Sequence, residues 1–173
     1  ARPGSPTNRW FAVGTTCFAV WVFGIAGRES GAHVPFWVGL SFAGASLATG
    51  AMLAFIRHYP APEPAPAPMV VRLVLALGVV LAGLSLGTEL IFYDAVLLAP
   101  TVLSRRPGPL YALFALYVLV VWLAVLATFL QRWWRSSGIA RVRLQYLGIG
   151  VMIGAVGAIT TNLLHPWITG KSS

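Results

Sequence analysis

The sequence predicts an all-α fold, a polytopic membrane bundle of five transmembrane helices, and three observations predict it. Of 173 residues, 58% are hydrophobic and only 9% charged, with a mean hydropathy of +0.80. Soluble domains carry roughly 45–50% apolar and ~25% charged residues, so these few charges cannot clothe this many apolar side chains in water. Apolar runs of about 20 residues, the length a bilayer demands, recur between short breaks. Finally, the arginines gather at the ends of those runs rather than in one tract, as membrane topology requires. That placement also disposes of the net charge of +8 as a sign of nucleic-acid binding.

The first span is expected over 10–26, with Asn8 as N-cap and Gly27-Arg28-Glu29-Ser30-Gly31 as its end. Pro35 closes the connector. The second span covers 36–56 and stops at Arg57-His58-Tyr59-Pro60. Residues 59–68 form an Ala/Pro-rich strap around Glu63. Alternate prolines remove amide donors and fix φ, so this strap is extended and lies outside the hydrocarbon.

The third span is expected over 69–92, with an alternative in which it runs on toward Leu98. Ser104-Arg105-Arg106-Pro107-Gly108-Pro109 is a clear break before the fourth span, 110–131. Gln131-Arg132-Trp133-Trp134-Arg135 and a Ser136-Ser137-Gly138 turn lead to the fifth span, 141–164, which His165-Pro166 stops. The chain opens with a polar Ala1-Arg2-Pro3-Gly4-Ser5-Pro6 stretch without the pattern of a signal peptide. A processed chain or a piece of a longer one is therefore expected.

Short connectors make successive helices antiparallel neighbours. Eight arginines (2, 9, 57, 72, 132, 135, 141 and 143) then fall on one side, against Arg28, Arg105, Arg106 and Lys171 on the other. The positive-inside rule places the first side in the cytoplasm, with the N-terminus inside and the C-terminus outside. Trp10, Trp37, Trp133, Trp134 and Trp167 sit at helix ends, where their rings suit the headgroup layer.

Candidate functional residues are few. Glu89 is the one carboxylate in an expected span, and a charge there is a functional-site hypothesis by default. With Thr88, Asp94 and Asn162 it forms the candidate ligand-sensing set on the outer side. An Asn near the end of a spanning helix also serves as interhelical glue. His33, His58 and His165 share no ligand spacing, so no metal site is expected. Cys17 stands alone in an apolar run and can form neither an intrachain disulfide nor a cysteine cluster. Gly83 and Gly87, and Gly150 and Gly154 extended by Ala158, are spaced for close helix packing, within one chain or between two. There is no Ser-His-Asp set, paired carboxylate or phosphate loop. With three histidines and four acids in all, an enzyme site would be hard to assemble. A multi-step proton pathway lacks its relay groups.

The last span carries a more specific pattern: Arg141, Arg143 and Leu144, then Gln145-Tyr146, Gly150 and Gly157, then Asn162-Leu163-Leu164-His165-Pro166. This resembles the sixth helix of the seven-helix N-terminal sensor region of bacterial histidine kinases and diguanylate cyclases. There an Arg-x-Arg-Leu start leads through glycines to an Asn-Leu-Leu-x-Pro exit. The first span, with Trp21 near its end, resembles that family's second helix, and 106–111 resembles the approach to its fifth. The resemblance covers nearly the whole chain, as helices two to six, and implies the orientation that the arginine count gives.

It further implies a membrane-embedded sensory region of a bacterial cytoplasmic membrane, non-catalytic in itself. The outer connectors would take a stimulus, and the cytoplasmic ends, especially 132–143, would couple to an output. Two features depart from the family pattern: its first and seventh helices have no counterpart here, and neither does a kinase or cyclase domain. The competing expectations are an accessory subunit of a large respiratory or photosynthetic membrane complex and, third, a small transporter or channel. Expected partners are the bilayer and either other membrane subunits or a second copy, with no nucleic acid. No resident cofactor is expected, and lipid, quinone or pigment between the helices is left open.

Overall fold

The computed structural model describes residues 5–59, 66–99 and 102–159. Five helices and one β-hairpin follow in chain order: α1 (Pro6–Arg28), α2 (Val34–His58), α3 (Pro68–Gly87), β1 (Phe92–Ala99), β2 (Val102–Pro107), α4 (Tyr111–Arg135) and α5 (Gly138–Ile159). Among the described residues, α1 to α4 are long and apolar enough to cross a bilayer.

Local chemistry sets the helix starts. Ser5, not Asn8, caps α1: its hydroxyl accepts the Asn8 N–H at 3.3 Å. Pro6 at the first helical position has no N–H to satisfy, so the helix begins four residues before Trp10. Pro35 lies inside the first turn of α2 rather than closing the connector, because amides there need no helical acceptor. The turn before it takes left-handed backbone at Gly31 (φ 72°) and His33 (φ 52°). α4 continues to Arg135, and α5 starts directly after, at a left-handed Gly138 (φ 56°).

The largest departure from the sequence reading lies after α3. The expected helix over 69–92 stops at Gly87. Thr88 donates twice to the Leu84 carbonyl, from Oγ1 at 2.7 Å and from its N–H at 3.1 Å. It also accepts the Leu90 N–H at 3.3 Å, which turns the chain away from the helix axis. The apolar run that follows is an antiparallel hairpin, not a helical extension or an irregular connector. Tyr93 pairs with Arg106, Val96 with Ser104 and Leu97 with Leu103. A bulge between Tyr93 and Val96 puts Asp94 in left-handed backbone (φ 51°), which Asp tolerates. Pairing is sealed at the base by Gly108 N–H to Ile91 O (2.9 Å) and Leu110 N–H to Leu90 O (2.8 Å).

α2 is the centre of the bundle. Within its most apolar stretch 72% of residues are buried, against 11% for α1. Its run of Gly39, Ala43, Gly44, Ser46, Ala48 and Ala51 lets neighbouring backbones come close. A Cβ on Gly44 would lie 2.6 Å from Trp21 N in α1, and one on Gly39 would lie 2.6 Å from Ser85 O in α3. Gly24 of α1 answers with the same closeness to Ser41 N. Gly24, Gly39 and Gly44 thus make close backbone approaches between α1, α2 and α3. Around Gly83, Gly87 and Gly150 there is open space, while the surroundings of Gly154, Gly157 and Ala158 lie outside the described side chains.

α4 packs along α2, and α5 packs on α4, with buried Leu144 and with Gly148 against the Phe129 ring. The outward faces of α1, α3 and α4 expose Phe23, Val79, Val80, Leu116, Val120 and Leu123. Such a surface is stable only against hydrocarbon.

Candidate ligand-sensing site

The ends of the bundle differ in chemistry. One carries the hairpin together with Glu29, Glu89, Asp94, Arg28, Arg105 and Arg106. The other carries Arg9, Arg57, Arg72, Arg132, Arg135, Arg141 and Arg143.

At the hairpin end a cavity of about 560 Å³ opens between the start of α2, the end of α3 and β1. Phe36, Leu86 and Phe92 supply apolar wall, and Thr88, Glu89 and Asp94 supply polar groups. Three of the four candidate sensing residues thus share one cavity, and Asn162 lies outside the described residues. Because α3 ends at Gly87, Glu89 sits beyond the helix and is exposed rather than inside a span. Its charge therefore needs no buried donor. Asp94 is also exposed, and its carboxylate stands 3.9 Å from the Arg106 guanidinium. A pair that open to solvent contributes little to stability.

The hairpin also seats a residue that the sequence reading did not single out. Leu103 and Arg105, two apart on β2, share the face turned toward the bundle. Leu103 is fully buried, and the Arg105 guanidinium lies over the Phe42 ring, 4.7 Å from its centroid. Phe42 stacks in turn on Phe92 at 5.4 Å and meets Phe114 edge-on at 4.9 Å. Burial pushes the Arg105 pKa down; Tyr111 opposes that shift, and Arg28 lies near enough to add to it. The signal available beforehand was the i, i+2 spacing of Leu103 and Arg105, which has meaning only once the segment is known to be a strand.

At the opposite end Arg132 is buried and donates to the carbonyls of Ile56 and Tyr59, and to that of Arg57 at 3.3 Å. Arg57 in turn donates to Pro66 O. These bonds complete the last turn of α2, whose carbonyls have no helical donors. Arg141, the first residue of the fifth-span motif, covers the Trp133 ring at 4.7 Å and so joins α5 to the end of α4. Among the described residues, no group of histidines, cysteines and acids is arranged to hold a metal ion. His33 and His58 stand exposed at opposite ends, and His165 lies outside the described residues.

The fold is that of a polytopic helical membrane protein, with a polar cavity at one end and an arginine-rich face at the other. The family model for the N-terminal 7TM region of histidine kinase matches residues 1–170. The chain belongs to that family of membrane sensory regions. No curated protein and no solved structure was found to match it.

Proposed function

We propose that this chain is the stimulus-receiving membrane unit of a histidine-kinase-type signalling protein and carries no catalytic activity of its own. The observation that supports this best is the gathering of Thr88, Glu89 and Asp94 in one cavity at the hairpin end, with the arginine cluster at the far end. In this reading there are five spans, the arginine-rich end faces the cytoplasm of a bacterial inner membrane, and the cavity faces outward. Its partners are the bilayer and the output domain that the arginine-rich end serves.

A stimulus acts by binding two arrangements of the bundle unequally. The hairpin joins α3 to α4, so a ligand that draws β1 toward α2 moves the start of α4. The last turn of α4 carries Arg132, which holds the end of α2, and Trp133, which meets Arg141 of α5. The cavity and the proposed output end are also linked by α2, whose first turn carries Pro35 and Phe36 of the cavity wall and which ends at the carbonyls that Arg132 holds.

The test is a full-length signalling parent carrying Glu89→Gln, Asp94→Asn or both. A changed stimulus threshold at unchanged protein level is expected. Output identical to the parent's across the stimulus range would remove the cavity from the mechanism. Orientation is tested separately with an impermeant maleimide. Ser104→Cys should label from outside the cell and Arg135→Cys only after lysis, and the reverse pattern would invert the topology.

A further inference from the structure

We propose that Arg105, with Arg28 beside it, forms a binding site for an oxyanion, a carboxylate or phosphate group, at the hairpin end of the bundle. The argument begins with a shortage. The chain has 12 Lys and Arg but only four acids, Glu29, Glu63, Glu89 and Asp94. It cannot neutralise its own arginines. Asp94 is taken by Arg106, Glu29 acts on its neighbour Arg28, and no ion pair or side-chain hydrogen bond reaches Arg105 among the described residues.

Geometry then distinguishes Arg105 from its exposed neighbours. Stacking on Phe42 at 4.7 Å uses the flat face of the guanidinium. The N–H donors lie in the plane of the group and stay available at its edge. That fork matches the two oxygens of a carboxylate or phosphate. Arg105 is also only partly open to water, so its donors are incompletely solvated. Arg28, at the last turn of α1, brings a second positive charge close to the first. Glu29, next to Arg28, offsets part of that charge, but Arg28 still faces Arg105 as a repelling cation, and an anion seated there removes the repulsion. The hydroxyl-bearing Tyr111 lies on the same side.

This inference deepens the sensory reading and rests on it only for the claim that occupancy matters to signalling; binding itself is measured apart from it. The whole chain is placed in nanodiscs of neutral phosphatidylcholine, and its thermal midpoint is followed against inorganic phosphate and acetate, with chloride at matched ionic strength as reference. A second set of discs contains phosphatidylglycerol. The expected result is a saturable rise in midpoint beyond that in chloride. Arg105→Gln and Arg28→Gln should each weaken it by about tenfold or more in concentration. Arg72→Gln, the same charge change at the opposite end, should leave it unchanged.

A rise with soluble anion assigns a soluble ligand, and one confined to phosphatidylglycerol discs assigns a lipid headgroup; both support the site. No rise beyond chloride, or equal rises in all variants, would overturn it. Should Arg105→Gln fail to fold, Arg105→Lys keeps the charge and loses the planar fork, and the affinity must still fall. Unchanged signalling in the Glu89 and Asp94 variants would defeat the sensory cavity without touching this result.

Discussion

Arg132 of α4 donates from its guanidinium to the carbonyl of Ile56, 76 positions earlier in the chain, at the final turn of α2. The same side chain reaches Tyr59 and Arg57. One cation therefore closes the C-terminal end of the helix that the rest of the bundle surrounds, where the helix dipole is negative. Serving that end requires α4 to run alongside α2 for its full length, so the contact also sets the axial position of α4.

Replacing Arg132 should therefore be costly. Arg132→Gln leaves buried carbonyls without donors and is expected to lower stability by about 3 kcal/mol. Arg132→Lys should recover part of that through its charge. Denaturant unfolding in mild detergent measures both. Arg132→Gln unfolding at the parent's midpoint would show that the bonds are dispensable.

Tyr117 makes the corresponding link deeper in the bundle. Its hydroxyl lies 3.0 Å from Ser46 O in α2 and 3.3 Å from Val74 O in α3, joining three helices through one group. Tyr117→Phe is expected to cost about 1 kcal/mol, the usual net value of one such bond. Gly78→Ala should cost more, because its Cβ would stand 2.6 Å from the Tyr117 hydroxyl and 3.0 Å from Ser46 O. In the double variant Gly78→Ala/Tyr117→Phe the two losses should fall short of additive, because the second change removes the atom that the first collides with. Strict additivity would mean that the clash is relieved elsewhere.

Gly108 is expected to be the least replaceable glycine of the hairpin end. A Cβ there would meet the Leu90 carbonyl oxygen at 2.3 Å and Glu89 O at 2.7 Å, main chain against main chain. Gly108→Ala must push the hairpin base away from the start of α4 and break the Gly108 to Ile91 bond. Faster amide exchange at Gly108 and Leu110 than in the parent is the predicted sign. Exchange unchanged at both amides would contradict it.

Glu89→Gln and Asp94→Asn should be nearly silent in stability, within about 0.5 kcal/mol, since both side chains are exposed. Any effect they have on output then reports on the stimulus rather than on folding. A large loss of stability in either would mean that these carboxylates make structural contacts.

Much of this architecture was legible in the residues alone. Hydropathy is a sum over neighbours in sequence, so apolar runs and their arginine-bearing ends can be read without knowing any contact. The pattern from Arg141 through Gly150 to Pro166 likewise carried the family resemblance, and the family match agrees with it. Helix ends were less legible wherever one side chain decides them. Ser5 and Thr88 act through single hydrogen bonds that leave no periodic trace.

The segment 88–107 shows where sequence reading ends. Its run of apolar residues suits a helix extension or a strand equally, and a short run cannot be assigned by periodicity alone. Pairing between Tyr93 and Arg106 decides it, and that is a contact between residues 13 apart. Which helix is central, which glycines touch and which arginine stacks are of the same kind. The sequence by itself determined that lipid is the solvent, where the apolar helices run and to which family they belong, because those properties are local sums. Only the tertiary structure placed Arg105 on Phe42, Tyr117 on Ser46 and Arg132 on the end of α2, because each joins residues more than 60 positions apart whose meeting depends on how the whole bundle packs.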